Sequence, residues 1–325
     1  MNLVKIFLFI VSFLSSHLLS AARRNGVRNP LFEASFIADI DRVSHLLSRV
    51  HSDILTAELP ILVDYADEEY NRTALLVCGL DPQYNNRSKL DGDCTSIAHM
   101  LFVHNATMSW VDTEGWDALS MGATRGLVQY CQYLLTHHTH STHNSSAINI
   151  NHCDKQNRTA LMKAVLNEEL QVVKLLLEHN ADVSLQDYTG QTALHYSVLN
   201  VVRATQYNSS SNRSDTSASS GPAFNASMEI LTTLLKSVPG GVITVVDKDD
   251  RTVLMYSTLL DSIPIIELLL EYGADPRQRD KFGVTVYDMA RSEGSRALLL
   301  EAVARKAEEE HQKWLKQSSE ILDVN

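Results

Sequence analysis

The stretch GQTALHYSV, Gly190–Val198, decides how this chain folds. Its Thr-Ala-Leu core recurs in NRTAL, at Asn71–Leu75 and at Asn157–Leu161. Thr159 and Thr192 stand 33 residues apart, and the same distance separates Thr252, in DRTVLMYST, from Thr285, in GVTVYDMA. An aliphatic run follows the first member of each pair: VVKLLLEHNADV over Val172–Val183 and IIELLLEYGADP over Ile265–Pro276. These runs are 93 residues apart, as are Thr159 and Thr252, so the unit is preserved as a whole. A period of this size marks a repeat array rather than a single layered core. Each copy has a local logic. The Thr hydroxyl stands at a helix N-terminus, where it can accept from amides that have no intrahelical partner. The Ala and Leu open a short apolar helix, the Leu-rich run supplies a second one behind it, and Gly273–Asp275 reads as a C-cap followed by a turn.

This pattern resembles the ankyrin repeat, whose period and TPLHxA helix start it shares. GQTALH (Gly190–His195) and LLLEHNADV (Leu175–Val183) lie closest to that consensus. The resemblance implies an all-α, ankyrin-repeat solenoid of about seven helix-turn-helix units, closed by a C-terminal helix. Repeat starts near 29, 73, 117, 159, 192, 252 and 285 place the repeat domain over 29–300. The weaker copies open at Asn29-Pro30-Leu31, Thr73-Ala74-Leu75 and Asp117-Ala118-Leu119. Their second helices are expected at Val43–Leu47, Ile97–Val103 and Val128–Leu135. Starts spaced by more than 33 locate insertions at 49–59, 82–93, 137–149 and 203–225. The second and fourth interrupt the turn between a repeat's two helices; the first and third fall between repeats. Loops absorb such length at small entropic cost. Residues 203–227, rich in Ser and Asn, are expected to be disordered. Residues 301–325 are expected to form a capping helix and tail. A stripe of Leu300, Val303, Ala307, His311, Trp314, Ser318 and Ile321 runs along it, and docking of a partner through Trp314 is the alternative role.

The chain has 325 residues, 44% hydrophobic and 21% charged, the composition of a folded protein. A formal charge of −11, unbroken by any Lys/Arg cluster, repels phosphate backbones and argues against nucleic acid as partner. Residues 1–22 have the layout of a secretory signal peptide: basic start, apolar Ile6–Leu14, and small Ser20-Ala21-Ala22 before Arg23-Arg24. That run is short for a membrane span, and no other segment is apolar enough to be one. The expected location is the secretory pathway or outside the cell; an organelle address or the cytoplasm is the alternative. Eight Asn-x-Ser/Thr sites fit secretion. Asn71 and Asn157 coincide with turn positions that the repeat itself requires, so the glycosylation candidates are Asn86, Asn144, Asn208, Asn212 and Asn225, which lie in the insertions.

No Walker loop, dinucleotide glycine fingerprint, GxSxG elbow, kinase signature or HExxH helix occurs, so no catalytic residue, cofactor or metal ligand is assigned. The resemblance implies non-catalytic recognition of protein partners, possible for a monomer, with contacts at the exposed positions of the finger-like turns. Gln186, Asp187 and Tyr188, and Lys248, Asp249 and Asp250, are the expected contact residues. The −11 charge favours basic partners. A metal-binding or enzymatic role for the His-rich insertion at 137–153 is the alternative, with His137, His138, His140, His143, His152 and Cys153 as ligands. His195 of TALH, by family resemblance, bonds between repeats rather than acting as a base. Cys78 and Cys131 fall at helix positions expected to be buried, whereas Cys94 and Cys153 are expected in loops, where they could pair.

Overall fold

The computed structural model describes residues 29–49, 63–78, 86–137, 148–210, 222–237 and 242–322. Among them, regular structure is helical, apart from a 3-10 turn at Val242–Thr244 and one isolated bridge between Arg279 and Thr285. The chain divides into two compact halves, residues 1–155 and 156–325. No helix of the described residues is long and apolar enough to cross a membrane.

The N-terminal half contains α1 (Pro30–Phe36), α2 (Ile40–Arg49), α3 (Arg87–Val103), α4 (Ala118–Arg125) and α5 (Val128–His137). Asn29 caps α1 and Asp117 caps α4, each side chain accepting a backbone amide, and Pro30 supplies the fixed φ that suits a first turn. Leu31, Val43, Leu47, Leu90, Ile97, Leu101, Leu119 and Leu134 are buried between these helices. The repeat that opens at Thr73 departs from expectation. Residues 74–78 run as successive turns instead of a first helix, and Gly79 and Pro82, which follow in sequence, are poor continuations of any helix. The expected second helix at Ile97–Val103 is the end of the longer α3. It begins inside the expected insertion because Asn86 caps it, its Oδ1 accepting from Lys89 N at 3.1 Å.

The C-terminal half contains four helix pairs: α6 (Ala160–Leu166) with α7 (Leu170–Glu178), α8 (Ala193–Ser210) with α9 (Pro222–Ser237), α10 (Val253–Leu259) with α11 (Ile263–Glu271), and α12 (Val286–Met289) with α13 (Glu293–Leu322). The first helices stack in a row, α6 on α8 on α10 on α12, with α7 beside α9 and α11 beside α13. Leu161, Val172, Leu176, Leu194, Val198, Leu231, Leu254, Ile265 and Leu269 make a continuous apolar layer. As expected, Thr159 and Thr252 cap α6 and α10, each Oγ1 accepting the amide three residues on at 3.3 Å. Thr285 forms a full capping box with Asp288. The turns after α7 and α11 match: Ala181 N donates to Leu176 O and Ala274 N to Leu269 O, with Asn180 and Gly273 at positive φ.

Two expectations change in this half. The insertion at 203–227 is helical at both ends, which lengthens α8 and α9; residues 211–221 lie outside the described residues. The C-terminal helix starts at Glu293 and buries Ser295, Leu299 and Ala302, one residue out of phase with the expected stripe. Leu300 and Trp314 of that stripe face solvent, Trp314 at 61% exposure.

Candidate functional site

The fingers that lead into α4, α8, α10 and α12 are each built from within by one buried aspartate, Asp112, Asp187, Asp247 or Asp280. In the C-terminal half, Asp187 Oδ1 accepts from Thr189 N and Gln191 N, both at 2.8 Å. Asp247 Oδ1 accepts from Asp249 N and Arg251 N at 2.8 and 2.9 Å, and Asp280 Oδ1 from Phe282 N and Val284 N at 2.9 Å. The second oxygen is used as well. Tyr196 Oη donates to Asp187 Oδ2 at 2.5 Å and Tyr256 Oη to Asp247 Oδ2 at 2.6 Å. Burial first, and then these carboxylates, hold both phenols above their ordinary range, Tyr256 at about 12. The aspartate is thus a ring of acceptors around which the backbone turns. The residue three places on takes positive φ: Gly190, Asp250 and Gly283.

Successive fingers join backbone to backbone. Tyr188 N donates to Gln156 O at 2.9 Å, Lys248 N to Thr189 O at 3.0 Å, and Lys281 N to Asp249 O at 3.0 Å. Gln186 spans the same gap with its side chain, Nε2 donating to Gly190 O and Val246 O at 2.7 Å. His195, buried behind the fingers, bridges Thr192 and the next finger. Its Nδ1 lies 3.0 Å from Thr192 Oγ1, and its Nε2 lies 3.3 Å from Arg251 O, which fixes the Nε2–H tautomer. Burial holds its pKa below the ordinary value of 6.5. The histidine is a structural bridge, as the family resemblance implied.

These bonds leave a particular set of side chains on the fingertips. Tyr188 is 55% exposed, with the Lys248 ammonium 5.8 Å from its ring centre. Asp250 is exposed; Asp249 is half-buried and bonded to Lys281 Nζ, a contact that draws its carboxyl below the usual range. Lys281 also stands 5.1 Å from the ring of Phe282, the most exposed large apolar side chain described, at 68%. Of the six expected contact residues, Tyr188, Lys248, Asp249 and Asp250 therefore share one edge with open faces. Asp187 is corrected: it is buried, and its carboxylate is consumed inside the finger. Gln186 is exposed, but its amide nitrogen is committed to the neighbouring finger. Lys281 and Phe282 were missed. The signal was present, because DKFG (Asp280–Gly283) repeats the register of DYTG (Asp187–Gly190).

The N-terminal half has fingers of the same construction. Asp112 Oδ1 accepts from Glu114 N and Trp116 N at 2.8 Å, and Arg72 Nε donates to its other oxygen at 3.0 Å. Thr113 N donates to Tyr70 O at 2.8 Å and Lys155 N to Glu114 O at 3.0 Å. Asn71 takes positive φ, as does Asn157 in the other half, so the NRTAL asparagines are turn residues first.

His152 Nε2 meets Gly115 O at 2.8 Å, and Cys153 Sγ approaches Asn151 O at 3.5 Å, so both serve the finger. Residues 138–147, with most of the histidine run, lie outside the described residues, and no group of three or more His, Cys, Asp or Glu able to hold a metal occurs among the described ones. Nothing described supports the metal alternative. Of the glycosylation candidates, Asn86 caps α3, Asn225 is exposed on α9, and Asn208 belongs to α8. These three stand at or in helices rather than in the loops expected. Asn144 and Asn212 lie outside the described residues.

Comparison with known proteins agrees with the geometry. A three-copy ankyrin repeat model matches residues 88–187 and 143–207, and a single ankyrin repeat model matches 249–281. Neither is the model of an enzyme family. The chain is 26% identical over 165 residues to the ankyrin repeat protein YahD of Escherichia coli, covering 45% of this chain and 79% of that one. It is 27% identical over 143 residues to an ankyrin repeat protein of Acanthamoeba polyphaga mimivirus, 44% of this chain but only 15% of the relative. A Caenorhabditis elegans ankyrin repeat and LEM domain-containing protein 1 homolog is 36% identical over 72 residues, 10% of its length. The ankyrin repeat domain of Bcl-3, described as a member of the IkappaB protein family, superposes with a TM-score of 0.59 at 18% identity, over 84% of this chain and 98% of that one. With repeat period, capped helices, finger bonds and family matches in agreement, residues 88–207 and 249–281 are ankyrin repeats, in a chain with the ankyrin solenoid fold.

Proposed function

We propose that this chain is a non-catalytic scaffold that captures a protein partner on the finger edge of its C-terminal half. Ankyrin repeats are protein–protein interaction modules, and the observation that carries this reading is the fingertip row Tyr188, Lys248, Asp250, Lys281 and Phe282. Two exposed rings and two ammonium groups stand on backbone already locked by buried aspartates, so little entropy remains to be lost on binding. Exposed aromatic side chains on a rigid support are the usual energetic anchors of protein interfaces. The overall charge of −11 steers basic partners toward the chain.

The test is a paired substitution, Tyr188→Ala with Phe282→Ala, assayed by quantitative partner capture and by thermal unfolding. Capture is expected to fall at least tenfold on the ~1.4 kcal/mol-per-decade scale, with the unfolding midpoint essentially unchanged. Unchanged capture removes these residues from the interface.

The N-terminal leader and the sequons support a secretory location. Asn86 uses Oδ1 for its cap, whereas a sugar is carried on Nδ2, so cap and glycan are compatible. Mass spectrometry of the natural protein is expected to find a chain beginning near Arg23 and sugar at Asn86 and Asn225. An intact leader and bare asparagines would overturn this part of the reading.

A further inference from the structure

The closing helix α13 lies against α11 and α12, with Ser295, Leu299 and Ala302 buried. At 3.6 residues per turn, a second line of residues is turned away from that contact. It consists of Ala297, Leu300, Ala304, Ala307, His311 and Trp314, all exposed. The spacing alternates three and four, the pattern of a coiled-coil seam, and spans about 26 Å at 1.5 Å per residue. No Asp, Glu, Lys or Arg stands on it, and the rings of His311 and Trp314 stack with centres 6.3 Å apart. A terminal cap ordinarily turns a polar face outward, because no further repeat covers it. Here the outward line is the apolar one.

We propose that this seam is a dimer interface, closed by the same seam of a second copy of the chain running antiparallel. The order of side-chain sizes selects that occupant. Laid against its own reverse, the seam sets Ala297 opposite Trp314, Leu300 opposite His311 and Ala304 opposite Ala307, and a two-fold axis makes each contact twice. Small residues thus meet the largest one, as interdigitating layers require. A parallel pair would set Trp314 on Trp314 and His311 on His311 at one end, and leave three layers of alanine on alanine.

The helix is held ready for this contact. Arg277 Nη1 and Nη2 donate to Glu310 Oε2 and Oε1 at 2.8 and 2.7 Å, and Lys306 Nζ lies 3.4 Å from Asp275 Oδ2. These bonds pin α13 to the turn after α11 without using a seam residue. Charge works against the pairing: Glu301 comes beside Glu308 of the second copy, and each chain carries −11. The association therefore strengthens as salt screens these charges, the reverse of a complex held by ion pairs. No residue of the fingertip row takes part, so the dimer does not depend on the scaffold reading.

Sedimentation equilibrium of the full chain at micromolar concentrations is expected to find twice the chain mass. The double variant Leu300→Glu with Trp314→Glu is expected to sediment at the single-chain mass with an unchanged helical circular dichroism spectrum. Added salt is expected to tighten the wild-type dimer. A wild type that stays monomeric, a double variant that stays dimeric, or a dimer that salt loosens overturns the proposal. A monomer that instead binds a synthetic Lys-flanked amphipathic helix assigns the seam to a basic partner and overturns it equally. Direction is read with a short bis-maleimide and peptide mapping. Ala297→Cys chains are expected to link to Leu315→Cys chains, whose new thiol lies beside Trp314, and not to one another, because two copies of position 297 stand about 26 Å apart. Links between two Ala297→Cys chains overturn the antiparallel register.

Discussion

The repeat that opens at Thr252 and the one that opens at Thr73 begin alike, with a threonine, a small or branched residue and a leucine, and then diverge. After Thr252 the chain forms α10, with the hydroxyl bonded to Met255 N. After Thr73 the described residues 74–78 run as turns, and the buried hydroxyl finds no partner. The fingers before them differ too. Asp247 stands five residues ahead of Thr252, as Asp187 does of Thr192 and Asp280 of Thr285, whereas Asp67 stands six ahead of Thr73. Asp67 then accepts from Tyr70 N and Arg72 N, a wider loop than the two-and-four spacing of Asp247. A threonine therefore starts a helix only where the finger delivers it in register. Asn29 and Asp117 show that other caps serve as well; where a threonine stands at the cap, the spacing from the finger aspartate completes the signal.

Removing the aspartate tests that claim hardest. Asp247→Ala strands two part-buried amides and the Tyr256 hydroxyl, bonds to a charged acceptor, and is expected to cost about 3–5 kcal/mol by urea unfolding. Asp67→Ala, in a half-buried finger with no phenol bonded to it among the described contacts, is expected to cost about 1–2 kcal/mol. Equal costs would show that finger register does not matter. Next in size is the glycine of the finger. Gly190 has φ of 83°, and a Cβ there would meet Lys248 N at 2.7 Å, backbone that cannot swing aside. Gly190→Ala should cost about 3 kcal/mol. Gly283→Ala, at φ of 79° with nothing within 4 Å, should cost only about 1 kcal/mol, the left-handed penalty alone.

A pH profile separates His195 from the methionines, Met162 and Met255, that occupy its place in neighbouring repeats. Its folded pKa lies below the unfolded value of 6.5, because burial disfavours the charged ring. Between those two values the unfolded chain binds more protons, so stability is full above about pH 6.5 and declines as pH falls from there toward the folded pKa. Thermal unfolding at a series of pH values should show this decline in the wild type and a shallower one in His195→Met. Identical slopes would rule out the bridge as its source.

What was legible in the sequence was whatever is local. Thr159, Thr252 and Thr285 announce their helices because a cap acts within three residues, and Asn180 and Gly273 announce turns for the same reason. The longer-range assignments failed for physical causes. Cys94 was placed in a loop because the period put an insertion at 82–93. Yet Asp91 of that stretch reaches across to Gln129 N and Tyr130 N, both at 2.9 Å, and caps α5 from outside, which requires α3 to begin early. A finger position reads as exposed from sequence alone, and only the amides and the phenol gathered around Asp187 explain its burial. Phe282 is marked only by the register that DKFG shares with DYTG, and that register by itself does not tell an exposed ring from a buried one.

The finest discrimination between the two repeats comes from one substitution made at both threonines. Valine keeps the shape of threonine and exchanges the hydroxyl for a methyl. At Thr252 the change deletes the cap of α10 and leaves Met255 N without its acceptor, so Thr252→Val should destabilise by about 1 kcal/mol. At Thr73 the hydroxyl is buried without a bond, so the wild type already bears the cost of an unsatisfied polar atom, about 1–3 kcal/mol. Thr73→Val removes that cost and adds one buried methyl, and should stabilise by about 1 kcal/mol or slightly more. The two variants are thus expected to move the urea midpoint in opposite directions with unchanged m-values. Movement in the same direction would mean that Thr73 caps a helix in solution after all, and that the two repeats differ less than their turns indicate.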